Sequence, residues 1–223
     1  MVLNVSDLKK GFLSPEGDRL EVIDLPALSL AEGEQVALQG SSGCGKTTLL
    51  HLIAGILSAD SGRVEVAGTD LTRLSEAERD RVRARSIGYI FQTFNLLQGF
   101  SALENVELAM LFGSRPDRAR ARLLLEQVGL GHRLHYPPAR LSVGQQQRVA
   151  VARAMANRPR LVLADEPTAN LDPKHAGEAL ALIRSTCREV GAALLLVSHD
   201  PVVVESFERV EPLARLNRAV GAA

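Results

Sequence analysis

The stretch Gly40-Ser41-Ser42-Gly43-Cys44-Gly45-Lys46-Thr47-Thr48 constrains this chain more than any other. It fits the pattern G-x-x-x-x-G-K-[ST], with Gly40, Gly45, Lys46 and Thr47 at the fixed positions. The apolar run at 34–39 predicts a short buried strand before it, and residues 48–55 predict a helix after it. Strand, glycine loop and helix is the setting in which this pattern holds phosphate. The glycines let the backbone take positive φ and approach phosphate oxygens with no Cβ in the way. Successive N–H groups then face an anion at the positive end of the helix. Lys46 adds a point charge for the β- and γ-phosphates, and Thr47 offers a hydroxyl to Mg²⁺. The stretch therefore implies a nucleotide site, without saying which nucleotide or to what end.

A chain of 223 residues makes one large domain, or a domain with a subdomain. Its formal net charge is zero, which argues against holding nucleic acid by bulk charge, so no nucleic-acid partner is expected. No apolar run approaches a membrane span, and residues near the N-terminus lack a signal peptide's apolar core. A cytoplasmic chain is expected, free to dock on a membrane protein. Cys44 and Cys187 are far apart and fit no metal spacing, as for two free thiols in a reducing compartment. Cys44 lies beside a helix N-terminus, but a small residue that fits is the simpler reading, and no redox role is assigned.

Weak alternation over 1–21, with a turn at Ser14-Pro15-Glu16-Gly17, predicts a hairpin containing Phe12, whose ring could stack on a base but on sequence alone is expected in the core. Further strands are expected at 22–30 and 61–68, so a small antiparallel layer flanks the loop. Ser75-x-x-Glu78 is a capping box opening a polar helix over 75–85. Its arginines alternate with Glu76, Glu78 and Asp80, as on a solvated face. A strand over 86–91 ends at Gln92, and an irregular apolar loop follows at 95–100. Helices are expected at 101–111 and 117–128, then a proline-containing loop at 132–139 and an alanine-rich helix to 157. The expected fold class is α/β: a P-loop core with a mostly parallel sheet (1–92 and 158–223), an antiparallel β subdomain, and a helical subdomain inserted over 93–157.

The run at 161–166 predicts a buried strand ending in Asp165-Glu166, with Pro167 stopping it. Acids there are the Mg²⁺-side partner that a phosphate loop needs, although a strand followed by a polar turn is common in general. An amphipathic helix over 174–190 is closed by Gly191, and a strand over 192–197 leads to Ser198-His199-Asp200. A lone His after a strand is more often structural. Here it falls on the same carboxyl edge of the sheet as the loop and the acids, where ligands bind in open α/β sheets. Ser142 and Gln145 form another capping box, hence a second helix N-terminus able to meet an anion.

The phosphate loop, Gln92, Leu141-Ser142-Val143-Gly144-Gln145, Asp165-Glu166, Asn170-Leu171-Asp172 and His199 follow in the order found in ATP-binding cassette ATPases, which the chain resembles over nearly its full length. The resemblance implies an ATPase using ATP and Mg²⁺. It casts Thr47, Gln92 and Asp165 as metal ligands, with Gln92 also the hinge that reports nucleotide state to a membrane partner. It casts Glu166 as the catalytic carboxylate, His199 as the switch that contacts the γ-phosphate, and Phe12 as the aromatic stacked on adenine. Ser142, Val143, Gly144 and Gln145 resemble the signature that caps the γ-phosphate held by a second subunit, so a head-to-tail homodimer is expected, with Asp172 in the turn that crosses its interface. Val143 stands where glycine is usual.

Residues 87–92, 94–97 and 101–106 further resemble the branch serving lipoprotein release, macrolide export and heterocyst-type glycolipid export, whose permeases have few spans and large extracytoplasmic domains. The expectation is a transporter ATPase bound to permease subunits at the inner face of the cell membrane, exporting or extracting a lipophilic or lipoprotein-type cargo. A small-solute importer ATPase and a soluble cassette in DNA repair or translation remain alternatives. The stretch after His199 is short and leaves little room for a regulatory domain.

Overall fold

The computed structural model describes residues 1–15, 17–113 and 115–219. Glu16, in the expected turn, lies outside the described residues. Strands β1 (Leu3–Leu13) and β2 (Arg19–Leu30) pair antiparallel along their length. Residues 22–30 are thus not a separate strand, as expected, but the continuation of the hairpin's second arm. The cause is cross-strand packing: Leu3, Val5 and Leu8 are buried opposite Leu30, Leu28 and Leu25. Pro26 interrupts the ladder, which β2 tolerates as the edge strand of its sheet.

The chain continues through β3 (Gln35–Gln39), α1 (Lys46–Ile53), β4 (Ser61–Val66) and β5 (Thr69–Asp70) to α2 (Glu76–Ser86) and β6 (Ile87–Ile90). Next come three helices, α3 (Ala102–Gly113), α4 (Arg118–Gln127) and α5 (Val143–Ala154). The last part comprises β7 (Leu161–Asp165), α6 (Pro173–Val190), β8 (Ala193–Ser198), α7 (Pro201–Glu205), β9 (Arg209–Pro212) and α8 (Leu213–Leu216). An antiparallel sheet has the order β2-β1-β4-β5, and a parallel sheet the order β6-β7-β8-β3-β9.

The parallel sheet is covered on both faces, which is why its strands read as unbroken apolar runs. Val162, Ala164, Leu194 and Leu196 pack with the helices α3 to α6. Their neighbours Leu161, Leu163, Leu195 and Val197 pack with α1 and the antiparallel sheet. Both cysteines are buried free thiols, and desolvation pushes the Cys187 thiol up to about 12.

The inserted helices sit between β6 and β7, strands adjacent in space. The loop before α3 is ordered by the buried amide of Asn105. Its Oδ1 accepts from Leu97 N at 2.8 Å, and its Nδ2 donates to the carbonyls of Leu97, Phe100 and Ser101 at 3.1, 3.1 and 3.0 Å. The chain after His199 adds an edge strand, β9, that the sequence did not suggest. Asn217 then ties the end of the described chain to β2, accepting from Asp24 N at 2.7 Å and donating to Val22 O at 2.8 Å.

Strand order places the site. Gln39 at the end of β3 pairs with Ser198 at the end of β8, and Asp165 at the end of β7 pairs with Val197. The phosphate loop, Glu166 and His199 are therefore the three segments leaving one carboxyl edge.

Candidate nucleotide and hydrolysis site

Helix α1 starts at Lys46 with Gly45 as its N-cap at φ 92°, a backbone conformation that side chains rarely adopt. A Cβ on Gly45 would lie 3.1 Å from the Val22 carbonyl, and one on Gly40 would lie 2.5 Å from Cys44 Sγ. Cys44 is thus packing material under the loop. No side chain caps α1 and no acid lies in its first turn, which leaves that helix end suited to an anion.

The Lys46 ammonium is buried and saturated. It donates to the Gly40 carbonyl at 2.7 Å and the Ser41 carbonyl at 2.9 Å, and lies 3.2 Å from Glu166 Oε1. Glu166 is buried too and holds φ at 44°, a strained value for a residue with a side chain. Its N–H donates to Val197 O at 3.1 Å. Ser198 Oγ donates to its Oε2 at 3.2 Å, and His199 Nδ1 lies 2.8 Å from its Oε1. An ammonium, a hydroxyl and an imidazole thus converge on one carboxylate, and the ammonium and the carboxylate are nearly out of water.

Asp165 lies beside them, buried, with Oδ1 lacking any protein partner. Burial raises its carboxyl above the usual range, and the Thr47 hydroxyl and the His51 ring partly offset this. An unpaired buried carboxylate oxygen next to a threonine hydroxyl is a donor set that suits a hard divalent cation. Burial, then the Asp165 charge, also pushes the nearby Tyr89 phenol up.

A cavity of about 310 Å³ joins Ser42, Gly43, Gly45, Lys46, Thr47, Thr48, Gln92, Glu166 and His199. Phe12 is not on its wall. Nor is it in the core, as the sequence alone suggested: it stands near the tip of the hairpin on β1 opposite Leu20, 41% exposed, with Lys10 Nζ 5.4 Å from its ring centroid. Ser142, Val143, Gly144 and Gln145 also lie off that wall. Ser142 caps α5, accepting from Gln145 N at 3.3 Å while its own N–H donates to Gln145 Oε1 at 3.0 Å. Asp172 caps α6 and lies 2.5 Å from His175 Nδ1, which holds its carboxyl below the usual range.

Several contributors escaped sequence reasoning. Val22 lines the cavity from β2. Ser198 orients Glu166, although its place beside His199 was a usable hint. Asn170 Nδ2 donates to the Gln92 carbonyl at 2.8 Å, a bond across 78 positions that no local pattern announces.

The profile of the family described as ABC transporter matches residues 24–169, more than half of the chain. A lipoprotein-releasing system ATP-binding protein, LolD 2 of Caulobacter vibrioides, is 43% identical over 215 residues, covering 95% of this chain and 94% of its own. LolD of Shewanella oneidensis is 42% identical over 214 residues, covering 94% and 92%. LolD of Xanthomonas campestris pv. campestris is 46% identical over 195 residues, covering 86% and 82%. Among solved structures, the dimeric post-hydrolysis state of the ATP-binding cassette MJ0796 with ADP and Pi superposes with a TM-score of 0.84 at 34% identity, covering 93% of this chain and 92% of that one. Phosphate loop, buried acids and these likenesses agree: the chain belongs to the ABC transporter family, as an ATP-binding and ATP-hydrolysing cassette.

Proposed function

We propose that this cassette drives the extraction of lipoprotein-type cargo from a membrane, working as a two-fold dimer on a separate permease. The convergence of Lys46, Glu166 and His199 at the phosphate loop carries the hydrolytic half of this reading. The lipoprotein-releasing relatives, matched over most of their length, support the cargo.

The geometry supports a set of roles. The loop N–H groups and Lys46 hold the β- and γ-phosphates. Thr47, Gln92 and Asp165 would hold Mg²⁺, which when bound neutralises phosphate charge. Glu166 orients water against the γ-phosphorus and accepts its proton, and the bond to the β–γ bridging oxygen breaks, leaving ADP and phosphate. His199, anchored on Glu166, reaches the γ-phosphate. Phe12, with Leu20 opposite it, offers a platform for the adenine.

The site is half of a pair. Ser142 to Gln145 lie off the phosphate cavity of their own chain, and a Cβ on Gly144 would touch nothing within 4 Å. Open space at that glycine fits a surface approached by a second copy's nucleotide. Asp172, the N-cap of α6, would lie in the turn crossing the same interface.

Residues 93–157 act as a helical lobe on the core of 1–92 and 158–223. Between lobe and core lies a cavity of about 550 Å³ with Ile56, Tyr89, Phe91 and Phe112 on its wall, Phe112 being 76% exposed. Close in sequence to Gln92, this groove is where the permease docks. Among the described residues no helix is long and apolar enough to cross a membrane, so attachment at the inner face of the cell membrane runs through that groove. Affinity capture of the chain from detergent-solubilised membranes tests the reading. Recovery of an integral membrane protein with a large extracytoplasmic domain is expected, and capture of soluble proteins alone would contradict it.

A further inference from the structure

Gln147 lies on α5 near its Ser142 cap and is 1% exposed. Its Nε2 donates to the Pro167 carbonyl, and its Oε1 has no protein partner. A buried acceptor left unpaired costs stability, and an apolar side chain of the same shape would remove that cost. An amide at this position therefore works against stability and has to be explained by what its donor holds.

What it holds is the first peptide carbonyl after Glu166. The left-handed backbone of Glu166 is pinned on one side by its N–H on Val197 O and on the other by Ala169 N on its own carbonyl, both at 3.1 Å. Pro167 has no N–H to give, so its carbonyl is that residue's one backbone hydrogen-bonding group. At the far end of the same turn, Asn170 is bonded to the Gln92 carbonyl at 2.8 Å. We propose that Gln147 is a positioning residue for the hydrolytic carboxylate: by holding Pro167 O it fixes the backbone of Glu166, and with it the aim of its side chain. The bond also ties that carboxylate to α5, the helix whose N-terminus is the Ser142 cap. This inference rests on Glu166 being the group that directs water.

Gln147→Met keeps the volume and removes the donor. In the full chain, kcat for ATP should fall about tenfold or more while KM stays within about twofold, because aim is lost and binding is not. The melting temperature should hold or rise, since the orphaned oxygen goes too. In a Glu166→Gln background, measured by single turnover, adding Gln147→Met should cost almost nothing further. A fall in melting temperature with kcat unchanged would overturn the proposal, as would the same loss of rate in both backgrounds. Normal turnover by Glu166→Gln alone would overturn the reading of Glu166 beneath it, and the two failures are distinct because the second needs no substitution at Gln147.

Discussion

The Lys46 ammonium and the Glu166 carboxylate lie 3.2 Å apart, each less than a tenth exposed. The two Lys46 bonds to Gly40 and Ser41 carbonyls complete its donor set. On the proposed roles, the residue for phosphate is thus occupied, and the residue for water holds a cation. A γ-phosphate would then have to draw Lys46 away from Glu166, which would free the carboxylate for water.

Glu166→Gln removes the anion that competes for Lys46. ATP should bind several-fold more tightly, while turnover falls by about 10²- to 10⁴-fold, the usual worth of a positioned general base. Equilibrium binding together with steady-state phosphate release checks both, and weaker ATP binding would argue against the competition.

Asp165→Asn removes a buried carboxylate with an unpaired oxygen. With metal and nucleotide removed by chelation and dialysis, the variant should melt higher at neutral pH. Asparagine keeps polar atoms in that place but removes the negative charge that burial disfavours, and each kcal/mol so relieved moves a chain of this size by about 2–4 °C. Mg²⁺-dependent turnover should be lost. Calorimetry showing a lower melting point would mean that Asp165 supports the fold rather than a cation.

Phe12→Ala tests the base platform. The ring is half exposed on the hairpin, so the melting temperature should barely move. KM for ATP should rise by about tenfold, in line with the ~1–3 kcal/mol of a base stacked on an aromatic. An unchanged KM would remove Phe12 from the site.

Glu104 closes a capping box on α3, accepting from Ser101 N at 2.7 Å and Ser101 Oγ at 2.6 Å. The Ser101 hydroxyl and then its N–H hold the carboxyl below its ordinary value. A depressed carboxyl contributes stability above its unfolded pKa, about 4.3, and loses it as pH falls through the folded value. Glu104→Gln keeps the box without the titration. Thermal melts from about pH 5 to about pH 3 should therefore fall less steeply for the variant, and equal slopes would contradict the cap's role.

The parts legible in the sequence are those that local chemistry dictates. The glycine loop, Asp165-Glu166 at the end of an apolar strand, and the Ser75 and Ser142 boxes each declare themselves within a few residues. What was hidden depends on distant pairing. Residues 19–30 form one strand because β1 runs the whole way beside them, and Pro26 is tolerated because β2 is the edge strand of its sheet among the described residues. Strand β9 exists because β3 offers an open edge, and Asn217 has its partners across 193 and 195 positions. The bonds from Gln147 to Pro167 and from Asn170 to Gln92 arise the same way, so the residues that position the chemistry were harder to see than those that perform it.

Two inactive chains should restore each other if each site is shared between copies. Ser142→Arg spoils the capping helix but leaves Lys46 and Glu166 intact, while Glu166→Gln spoils the carboxylate but leaves Ser142 intact. In a mixed dimer, the intact loop and carboxylate of the first chain face the intact Ser142 of the second, giving one complete site. Random pairing of an equimolar mixture makes about half the dimers mixed, each with one of two sites working, so about a quarter of the unmodified rate is expected. Phosphate release from the mixture, set against each variant alone, measures this directly. Recovery toward that level is what a shared site predicts; a mixture as inert as its components, with ATP still bound by both, would contradict it.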